Sequence, residues 1–206
     1  MIALLDYGAG NLRSVEKALR FVGGEVRLVQ SPDGMKDASA VVLPGVGAFD
    51  DCVNAMQRQE LLAASREFIK TGRPFLGICV GYQAMFERSE EFNSRAVGLG
   101  LFAGSVVRFP AGQGLKVPQI GWNQIEIVKP ECPIFKGVEN GSHVYFVHSF
   151  YPQPEDDSIA ACRTSYGVEF ASAIWKDNVF ATQFHPEKSQ KVGLTILQNF
   201  VDLAKG

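Results

Sequence analysis

The sequence predicts an α/β fold: an open, mostly parallel sheet flanked by helices, with antiparallel strands in the second half. Two observations carry this prediction. In the first half, short apolar runs alternate with segments of helical periodicity, as in doubly wound sheets. In the second half, strand-like runs follow one another with few helical patterns between them. A chain of 206 residues can bury one sizeable core, so we expect a single domain over residues 1–206.

The first half contains four predicted strands and their connecting helices. Residues 2–6 are apolar without polar alternation, as expected of a central strand covered on both faces. Asn11 is a candidate N-cap for a helix that ends at the glycines 23 and 24. A second helical region runs from residue 50 to about residue 70 in two pieces, and a helical pattern with Tyr82, Met85 and Phe86 follows the fourth strand. The other strands are predicted at Val26–Val29, Ala40–Leu43 and Phe75–Ile78.

The second half is predicted to add antiparallel strands and one helix. A turn at Lys176, Asp177 and Asn178 is typical of a hairpin. The last helix begins near Ser189. Strand-like runs occupy residues 106–109, 124–128, 144–150, 159–163, 169–175 and 179–184.

Composition and charge exclude several function classes. A net charge of −2 gives no reason to expect nucleic acid as a partner, and no apolar run approaches the length of a membrane span. The N-terminus resembles a first strand rather than a signal peptide. The four cysteines are scattered without metal-ligand spacing, which favours a reducing, cytoplasmic compartment. Neither a cofactor nor a metal is expected, since no P-loop or dinucleotide fingerprint is present.

The most informative segment is the turn that follows the strand Phe75–Ile78. Cys79 stands there with Gly77 and Gly81 two residues to either side. Small neighbours allow a strand to turn sharply into a helix and present the residue at the turn, which is the pattern of a nucleophile elbow. The N–H of Val80 then points at the group under attack and is a candidate oxyanion donor. The alternative is an inert buried cysteine in an ordinary strand–loop–helix connection.

A general base for Cys79 is found at the end of a later strand. His185 is followed by Pro186, which prevents the strand from continuing, and by Glu187, which can accept a hydrogen bond from the imidazole. This arrangement supplies the base and orienting group that a thiol nucleophile needs. The alternative is a strand-end histidine paired with a nearby carboxylate and without a catalytic role.

Residues 44–47 (PGVG) are the candidate for a second oxyanion donor. They follow the strand Ala40–Leu43 at its carboxyl end, where open α/β sheets place their sites. Their glycines would let the backbone N–H of Val46 or Gly47 turn inward. A plain strand-to-helix turn would explain the same residues.

Taken together, residues 44–47, 77–83 (GICVGYQ) and 184–187 (FHPE) resemble the class I, triad-type glutamine amidotransferases. Within that family, four further segments are similar to the glutaminase subunits of imidazole glycerol phosphate synthase. They are residues 6–11 (DYGAGN), 117–123 (VPQIGWN), 145–149 (YFVHS) and 187–189 (EKS). The resemblance covers nearly the whole chain and implies the corresponding fold and a glutaminase activity.

The resemblance also implies roles for individual residues. Cys79 would attack the side-chain amide of glutamine to form a γ-glutamyl thioester, His185 would protonate the departing ammonia and then activate water, and Glu187 would orient His185. The glutamine would be held by Gly45, Gln83, Ser149 and Phe150. The family often has threonine and tyrosine where this chain has Ser149 and Phe150, so a polar contact at Phe150 is in doubt.

A partner subunit is implied in the same way. Ammonia released into water would be lost, and the chain shows no acceptor site of its own. The family supplies that site on a (β/α)8-barrel cyclase, in a heterodimer that makes imidazole glycerol phosphate and aminoimidazole carboxamide ribotide in histidine biosynthesis. The positions that match partner-facing residues are Asn11, Trp122, Tyr145 and Lys188.

Three other interpretations remain open at this point. The chain could be a stand-alone cysteine hydrolase or peptidase on a similar sheet, although Gln83 and the Pro-Glu pair after His185 favour a glutaminase. It could be a binding subunit that has lost catalysis, against which the intact Cys79, His185 and Glu187 argue. It could also be a glutaminase serving anthranilate or pyridoxal phosphate synthesis.

Overall fold

A computed structural model describes residues 1–8, 10–110 and 115–206 of the chain. Ala9, within the 6–11 segment, lies outside the described residues. The helices are α1 Leu12–Phe21, α2 Phe49–Arg58, α3 Leu61–Lys70, α4 Val80–Gln83 and α5 Gln190–Lys205. The strands are β1 Ile2–Leu5, β2 Val26–Val29, β3 Ala40–Leu43, β4 Phe75–Ile78, β5 Phe86–Ser89, β6 Phe102–Arg108, β7 Gln119–Gln124, β8 Glu126–Ile127, β9 His143–His148, β10 Phe150–Pro154, β11 Ala160–Tyr166, β12 Val168–Lys176 and β13 Val179–Thr182.

The predicted mixed sheet is confirmed. Within the described residues, eight strands form the main sheet in the order β2-β1-β3-β4-β13-β12-β11-β8. The five strands from β2 to β13 in this order are parallel, and β12, β11 and β8 continue the sheet antiparallel. The smaller groupings are β10-β6-β5 and the β7–β9 ribbon.

The order of the strands also determines which face of the sheet each helix covers. The crossover from β1 to β2 runs one way along the sheet, and the crossover from β3 to β4 runs the other way. Because such crossovers are right-handed, α1 covers one face of the sheet while α2 and α3 cover the opposite face. The first face is completed by α5, which packs against α1.

The carboxyl ends of β1, β3, β4 and β13 therefore meet at one edge of the sheet. The direction of strand addition reverses between β1 and β3, and ligand sites of open α/β sheets lie beside such a reversal. Each segment singled out in the first half of the sequence follows one of these strands. The fold thus brings them to a common edge.

Four local predictions were wrong, each because a tertiary contact outweighed the local pattern. The predicted strand over residues 124–128 is divided at Ile125 between β7 and β8, which lie in different sheets. The helix after Cys79 is a single turn, and Phe86 begins the strand β5 instead of extending a helical stripe. The predicted strand over residues 144–150 is divided at Ser149 into β9 and β10, which pair with different strands. Asn11 has a left-handed backbone and makes no side-chain cap to α1.

None of the helices in the described part of the chain is long and apolar enough to cross a membrane.

Candidate active site

Strand pairing places Cys79 beside the segment that carries His185. β4 and β13 are parallel neighbours, with Ile78 opposite Thr182. The backbone N–H of Cys79 continues this pairing by donating to the carbonyl of Thr182 at 2.8 Å. Cys79 and His185 therefore leave adjacent strands on the same side of the molecule, and both line one cavity.

The turn at Cys79 has the geometry of a nucleophile elbow. Cys79 has φ 55° and ψ −107°, a conformation that L-residues rarely adopt and that clusters at functional sites. The turn is possible because Gly81 packs directly on the neighbouring strand, where an added Cβ would lie 2.0 Å from the carbonyl oxygen of Leu43. At Gly77 an added Cβ would lie 2.6 Å from the Cε of Met85. Close packing of both glycines holds the strained cysteine in place.

His185 is held by a buried carboxylate. Its Nδ1 lies 2.8 Å from Oε1 of Glu187, whose side chain is completely buried. The same Oε1 accepts a 2.6 Å hydrogen bond from Nδ2 of Asn11, which follows β1. Since a carboxylate only accepts, Nδ1 of His185 must carry a proton. Its Nε2 is buried and has no hydrogen-bond partner among the described residues. That nitrogen is free to exchange protons with a reacting group.

The electrostatics of this cluster favour a charged imidazole. Burial by itself lowers the pKa of His185, but the charge of the Cys79 sulfur and the contact with Glu187 outweigh burial and raise the pKa to about 10. A charged imidazole beside the Cys79 sulfur favours an imidazolium–thiolate pair, the reactive form of a cysteine nucleophile.

A serine that the sequence analysis left without a role fixes the turn around His185. The hydroxyl of Ser189 donates to the carbonyl of His185 at 2.7 Å and accepts from the N–H of Tyr145 at 2.9 Å. The N–H of His185 donates in turn to the carbonyl of Tyr145 at 3.0 Å. The strand β9 thereby anchors the turn that carries His185 and Glu187.

The cavity has a volume of about 360 Å³, within the range of small-molecule sites. Its walls contain most of the candidate residues named from the sequence, while Glu187 and Asn11 lie behind His185. The lining residues are Val46, Gly47, Cys79, Val80, Gln83, Glu91, Pro118, Val147, His148, Ser149, Phe150, His185 and Lys188.

The segment after β3 contacts the elbow directly. Gly45 packs so closely that an added Cβ would lie 2.7 Å from the Cβ of Val80. Tyr7 donates from its hydroxyl to the carbonyl of Pro44 at 2.7 Å and ties this segment to the end of β1. Val46 and Gly47 continue into the cavity wall beside Val80.

Phe150 contributes its backbone carbonyl to the site. Its carbonyl accepts a 3.0 Å hydrogen bond from Nε2 of Gln83 and lies 2.9 Å from Nδ1 of His148. These contacts are independent of the side chain at this position. Replacement of tyrosine by phenylalanine leaves them intact.

Glu91 was missed by the sequence analysis, since nothing in its charged surroundings distinguishes it. It lines the cavity, and its Oε2 accepts a 2.7 Å hydrogen bond from the N–H of Phe49 at the start of α2. Burial raises the pKa of Glu91 above its ordinary value. The neighbouring Asp50 accepts from the N–H groups of Arg95 and Ala96, at 3.1 and 3.3 Å, and so fixes the chain after Glu91.

His148 is a second buried histidine that the sequence analysis did not use. Nδ1 donates to the Phe150 carbonyl, and Nε2 lies 2.9 Å from Oε1 of Gln119. Because a neutral ring has one N–H, the Gln119 amide must be turned so that its NH2 group donates to Nε2. Burial lowers the pKa of His148 to about 4. His148 is therefore neutral at pH 7, unlike His185.

His148 should make the fold sensitive to acid. The unfolded chain binds a proton at this residue near pH 6.5, but the folded chain does not until about pH 4. Stability is therefore lost as pH falls through this window, and the free energy of unfolding should drop by about 2 kcal/mol between pH 7 and pH 5 from His148 alone. Urea titrations of the unmodified chain and of His148→Gln measure this contribution. An equal drop in both proteins would contradict the assignment.

Comparison with known proteins identifies the family. The family model described as glutamine amidotransferase class-I matches residues 3–203. The chain is 50% identical to the imidazole glycerol phosphate synthase subunit HisH of Syntrophotalea carbinolica, over 98% of this chain and 100% of that protein. It is also 50% identical to the subunit of the same name from Geobacter sulfurreducens, over 98% of each chain.

This chain is a class I glutamine amidotransferase of the HisH group. It is therefore an enzyme that hydrolyses glutamine, as a subunit of imidazole glycerol phosphate synthase in histidine biosynthesis.

Solved structures share the amidotransferase fold at low sequence identity. PurLQS from Thermotoga maritima aligns with a TM-score of 0.78 at 20% identity, covering 98% of this chain and 97% of that one. The glutaminase domain of CTPS from Trypanosoma brucei aligns with a TM-score of 0.71 at 14% identity, covering 99% of this chain and 93% of that one. These likenesses support the fold of the amidotransferase described here.

An aromatic cluster stands on the exposed face of the β7–β9 ribbon of this amidotransferase. Trp122 is 47% exposed and packs edge-on against Tyr145, with ring centroids 6.0 Å apart. Nζ of Lys188 lies 6.0 Å from the centroid of Tyr145. Ile120, 63% exposed, extends the apolar surface. Lys188 lies in the cavity wall, so the cluster borders the cavity there. Trp122 and Tyr145 do not line the cavity.

Cys52, Cys132 and Cys162 are not among the residues that line the cavity. All three are buried free thiols. Burial raises the pKa of Cys52 and of Cys132 to about 12, so both remain protonated and unreactive at neutral pH. Within residues 1–8, 10–110 and 115–206, no group of three or more metal-ligating side chains was found.

Proposed function

We propose that Cys79, His185 and Glu187 form the catalytic triad of this glutaminase. The observation that carries the proposal is the placement of a strained Cys79 and a Glu187-bound His185 on adjacent parallel strands at one cavity. The thiolate attacks the side-chain carbonyl carbon of glutamine and forms a tetrahedral oxyanion. Nε2–H of His185 protonates the amide nitrogen, the C–N bond breaks, and ammonia leaves a γ-glutamyl thioester.

Hydrolysis of the thioester reverses the roles of the same groups. Neutral His185 removes a proton from water, which attacks the thioester carbonyl, and the C–S bond breaks to release glutamate and the thiolate. Glu187 keeps Nδ1 protonated throughout, because it accepts from that nitrogen. Asn11 holds Glu187 in position through its 2.6 Å hydrogen bond.

The oxyanion is proposed to be stabilised by backbone N–H groups on two sides. Val80 follows Cys79 directly, and Val46 and Gly47 line the cavity nearby. The positive φ of Gly47 (99°) allows the peptide there to turn in a way that a residue with a side chain resists. We further propose that this donor is completed only when the partner subunit is engaged.

Substrate binding is proposed to use both ends of glutamine. Gln83, Ser149 and Phe150 line the cavity, and Gly45 permits a close approach of its segment to Val80 and Gly81. Glu91 supplies a carboxylate for the α-ammonium group, since it is the acidic side chain among the lining residues. An ion pair there would select amino acids over simple amides.

Replacing this carboxylate should weaken binding and leave chemistry largely intact. Glu91→Gln keeps the size and the acceptor for Phe49 but removes the charge, so the KM for glutamine should rise by about tenfold with little change in kcat. Steady-state glutaminase kinetics measure both constants. Glu90→Gln, one residue before, is the matched control. A fall in kcat with unchanged KM would contradict the assignment.

The ammonia is proposed to pass to a (β/α)8-barrel cyclase subunit that forms a heterodimer with this chain and converts a phosphoribosyl aminoimidazole intermediate. The relatives are named as subunits, which supports a partner. We assign the interface to Trp122, Tyr145 and Lys188, with Asn11 connecting this side of the molecule to Glu187. Half-exposed aromatic side chains are frequent anchors at such interfaces.

Truncation of the Trp122 side chain should weaken the binding of this chain to the cyclase. Trp122→Ala should raise the Kd for the cyclase by about thirtyfold or more, because the ring supplies a large apolar contact. Isothermal titration with purified cyclase gives the Kd directly. Phe92→Ala, at a side chain that is 83% exposed but lies outside the cluster, serves as the control. Equal affinities for the unmodified chain and Trp122→Ala would exclude this surface.

The proposed function as a whole is tested by glutaminase activity with and without the cyclase and its acceptor. We expect stoichiometric glutamate and imidazole glycerol phosphate from glutamine, and a faster rate in the complex. Release of ammonia from peptides in preference to glutamine would favour a stand-alone hydrolase. Equal glutaminase rates with and without the partner would contradict the proposal that the oxyanion donor is completed only when the partner subunit is engaged.

We also propose a cytoplasmic location. The four cysteines are free thiols, which fits a reducing compartment.

A further inference from the structure

A row of buried amides lies behind the catalytic thiol. Gln183 follows β13 and has no exposed surface, and its Nε2 lies 3.6 Å from Sγ of Cys79. Its Oε1 lies 3.3 Å from Nε2 of Gln83. Gln83 continues the row to the carbonyl of Phe150 at 3.0 Å. Two side-chain amides thus connect a backbone carbonyl to the sulfur of the nucleophile.

The direction of these hydrogen bonds is fixed by the end of the row. The carbonyl of Phe150 can only accept, so Gln83 must turn its NH2 group toward it. The same NH2 group faces Gln183, which must therefore present its oxygen to Gln83. The NH2 group of Gln183 is then left for the sulfur. If the Gln183 amide were reversed, its NH2 group would face the NH2 group of Gln83, and its oxygen would face the thiolate of Cys79.

From this geometry we propose that Gln183 is a further catalytic residue, which donates a hydrogen bond to Sγ of Cys79 and stabilises its thiolate. Gln83 and the Phe150 carbonyl act as positioning groups that hold the Gln183 amide in the donating orientation. The proposal rests on Cys79 being the nucleophile. Hydrogen bonds to a charged acceptor are stronger than those to a neutral one, so the thiolate gains more than the thiol.

Few other groups near Cys79 change charge around neutral pH. His185 faces it from the extension of β13, Tyr7 from the end of β1 and Cys52 from α2. Burial raises the pKa of Tyr7 far above its ordinary value and that of Cys52 to about 12, so both stay neutral. Glu91 and Lys188 lie on the cavity wall. The reactivity of the Cys79 sulfur should therefore report directly on a substitution at Gln183.

The test measures alkylation of Cys79 by iodoacetamide against pH, on the full chain in complex with the cyclase, with mass spectrometry to assign the modified residue. Gln183→Met keeps the approximate volume and removes the donor. The midpoint of the pH profile should move up by about one unit, and kcat should fall by about tenfold with little change in the KM for glutamine.

A second variant and a control separate this effect from simple damage to the fold. The isosteric Gln183→Glu can still accept from Gln83 but brings a carboxyl group to the sulfur, so its midpoint should move further in the same direction. Thr164→Val removes a buried 2.8 Å hydrogen bond to Ser172 in the same sheet and should leave the profile unchanged.

The outcomes distinguish this proposal from the proposed function. An unmoved midpoint in either folded Gln183 variant overturns the role of Gln183, whatever happens to kcat. The role of Cys79 is tested separately, since alkylation reports on the sulfur without requiring glutamine turnover.

Discussion

Cys79→Ala should abolish glutamine-dependent synthesis by the complex, a loss of about ten-thousand-fold or more, because the thioester is proposed to form on the sulfur of Cys79. Synthesis supplied with free ammonia should continue, since that reaction is proposed to take place on the cyclase. The backbone strain at Cys79 is carried by close packing of Gly77 and Gly81, which alanine leaves in place. The variant should therefore fold and bind its partner normally.

The measurement is the rate of imidazole glycerol phosphate formation with glutamine and, separately, with an ammonium salt. Cys52→Ala is a matched control, because Cys52 is also a buried free thiol on an adjoining element. It should retain both rates. Retention of the glutamine-dependent rate in Cys79→Ala would mean that another group is the nucleophile. Loss of both rates would indicate a damaged complex instead.

Glu187→Gln should reduce kcat by about a thousandfold, the second largest effect expected. Glutamine can keep an oxygen toward His185 and Asn11, so the geometry survives. The charge that helps to raise the pKa of His185 is lost, however. The pKa of His185 should fall, and less of the enzyme should hold the imidazolium–thiolate pair at neutral pH.

For Glu187→Gln, the pH dependence of kcat/KM tests the role of the carboxylate charge more directly than kcat alone. We expect the high-pH limb, where His185 loses its proton, to move toward lower pH. Glu67→Gln, at an exposed residue paired with Lys70 on α3, should change neither kcat nor the profile. A Glu187→Gln enzyme with kcat within tenfold of the unmodified chain would show that the carboxylate charge is dispensable.

The sequence pattern at Asn11 predicted a helix cap, but the side chain of Asn11 makes a different contact in the structure. An asparagine before an apolar helical stripe is typical of an N-cap. In the structure its backbone is left-handed, and its side chain instead reaches Glu187, 176 positions away in the chain. No local signal contains that contact, because it depends on which strands become neighbours in the sheet.

Phe150 and Glu91 show two further limits of inference from sequence. The sequence drew attention to the side chain of Phe150, whereas the hydrogen bonds seen in the structure are accepted by its backbone carbonyl, which no sequence pattern indicates. Glu91 is one acidic residue in a charged stretch, and only the path of the chain beside α2 brings it to the cavity.

Local sequence features were sufficient to predict the mixed α/β architecture and the elements that carry Cys79 and His185. This was possible because apolar strands, small residues at a tight turn and a proline at a strand end are local features with local causes. The groups that surround these residues could be identified only from the folded chain. The hydrogen bonds from Asn11 to Glu187 and from Gln183 to Cys79 join residues far apart in the chain. Such contacts follow from strand order and close packing, which no short segment specifies alone.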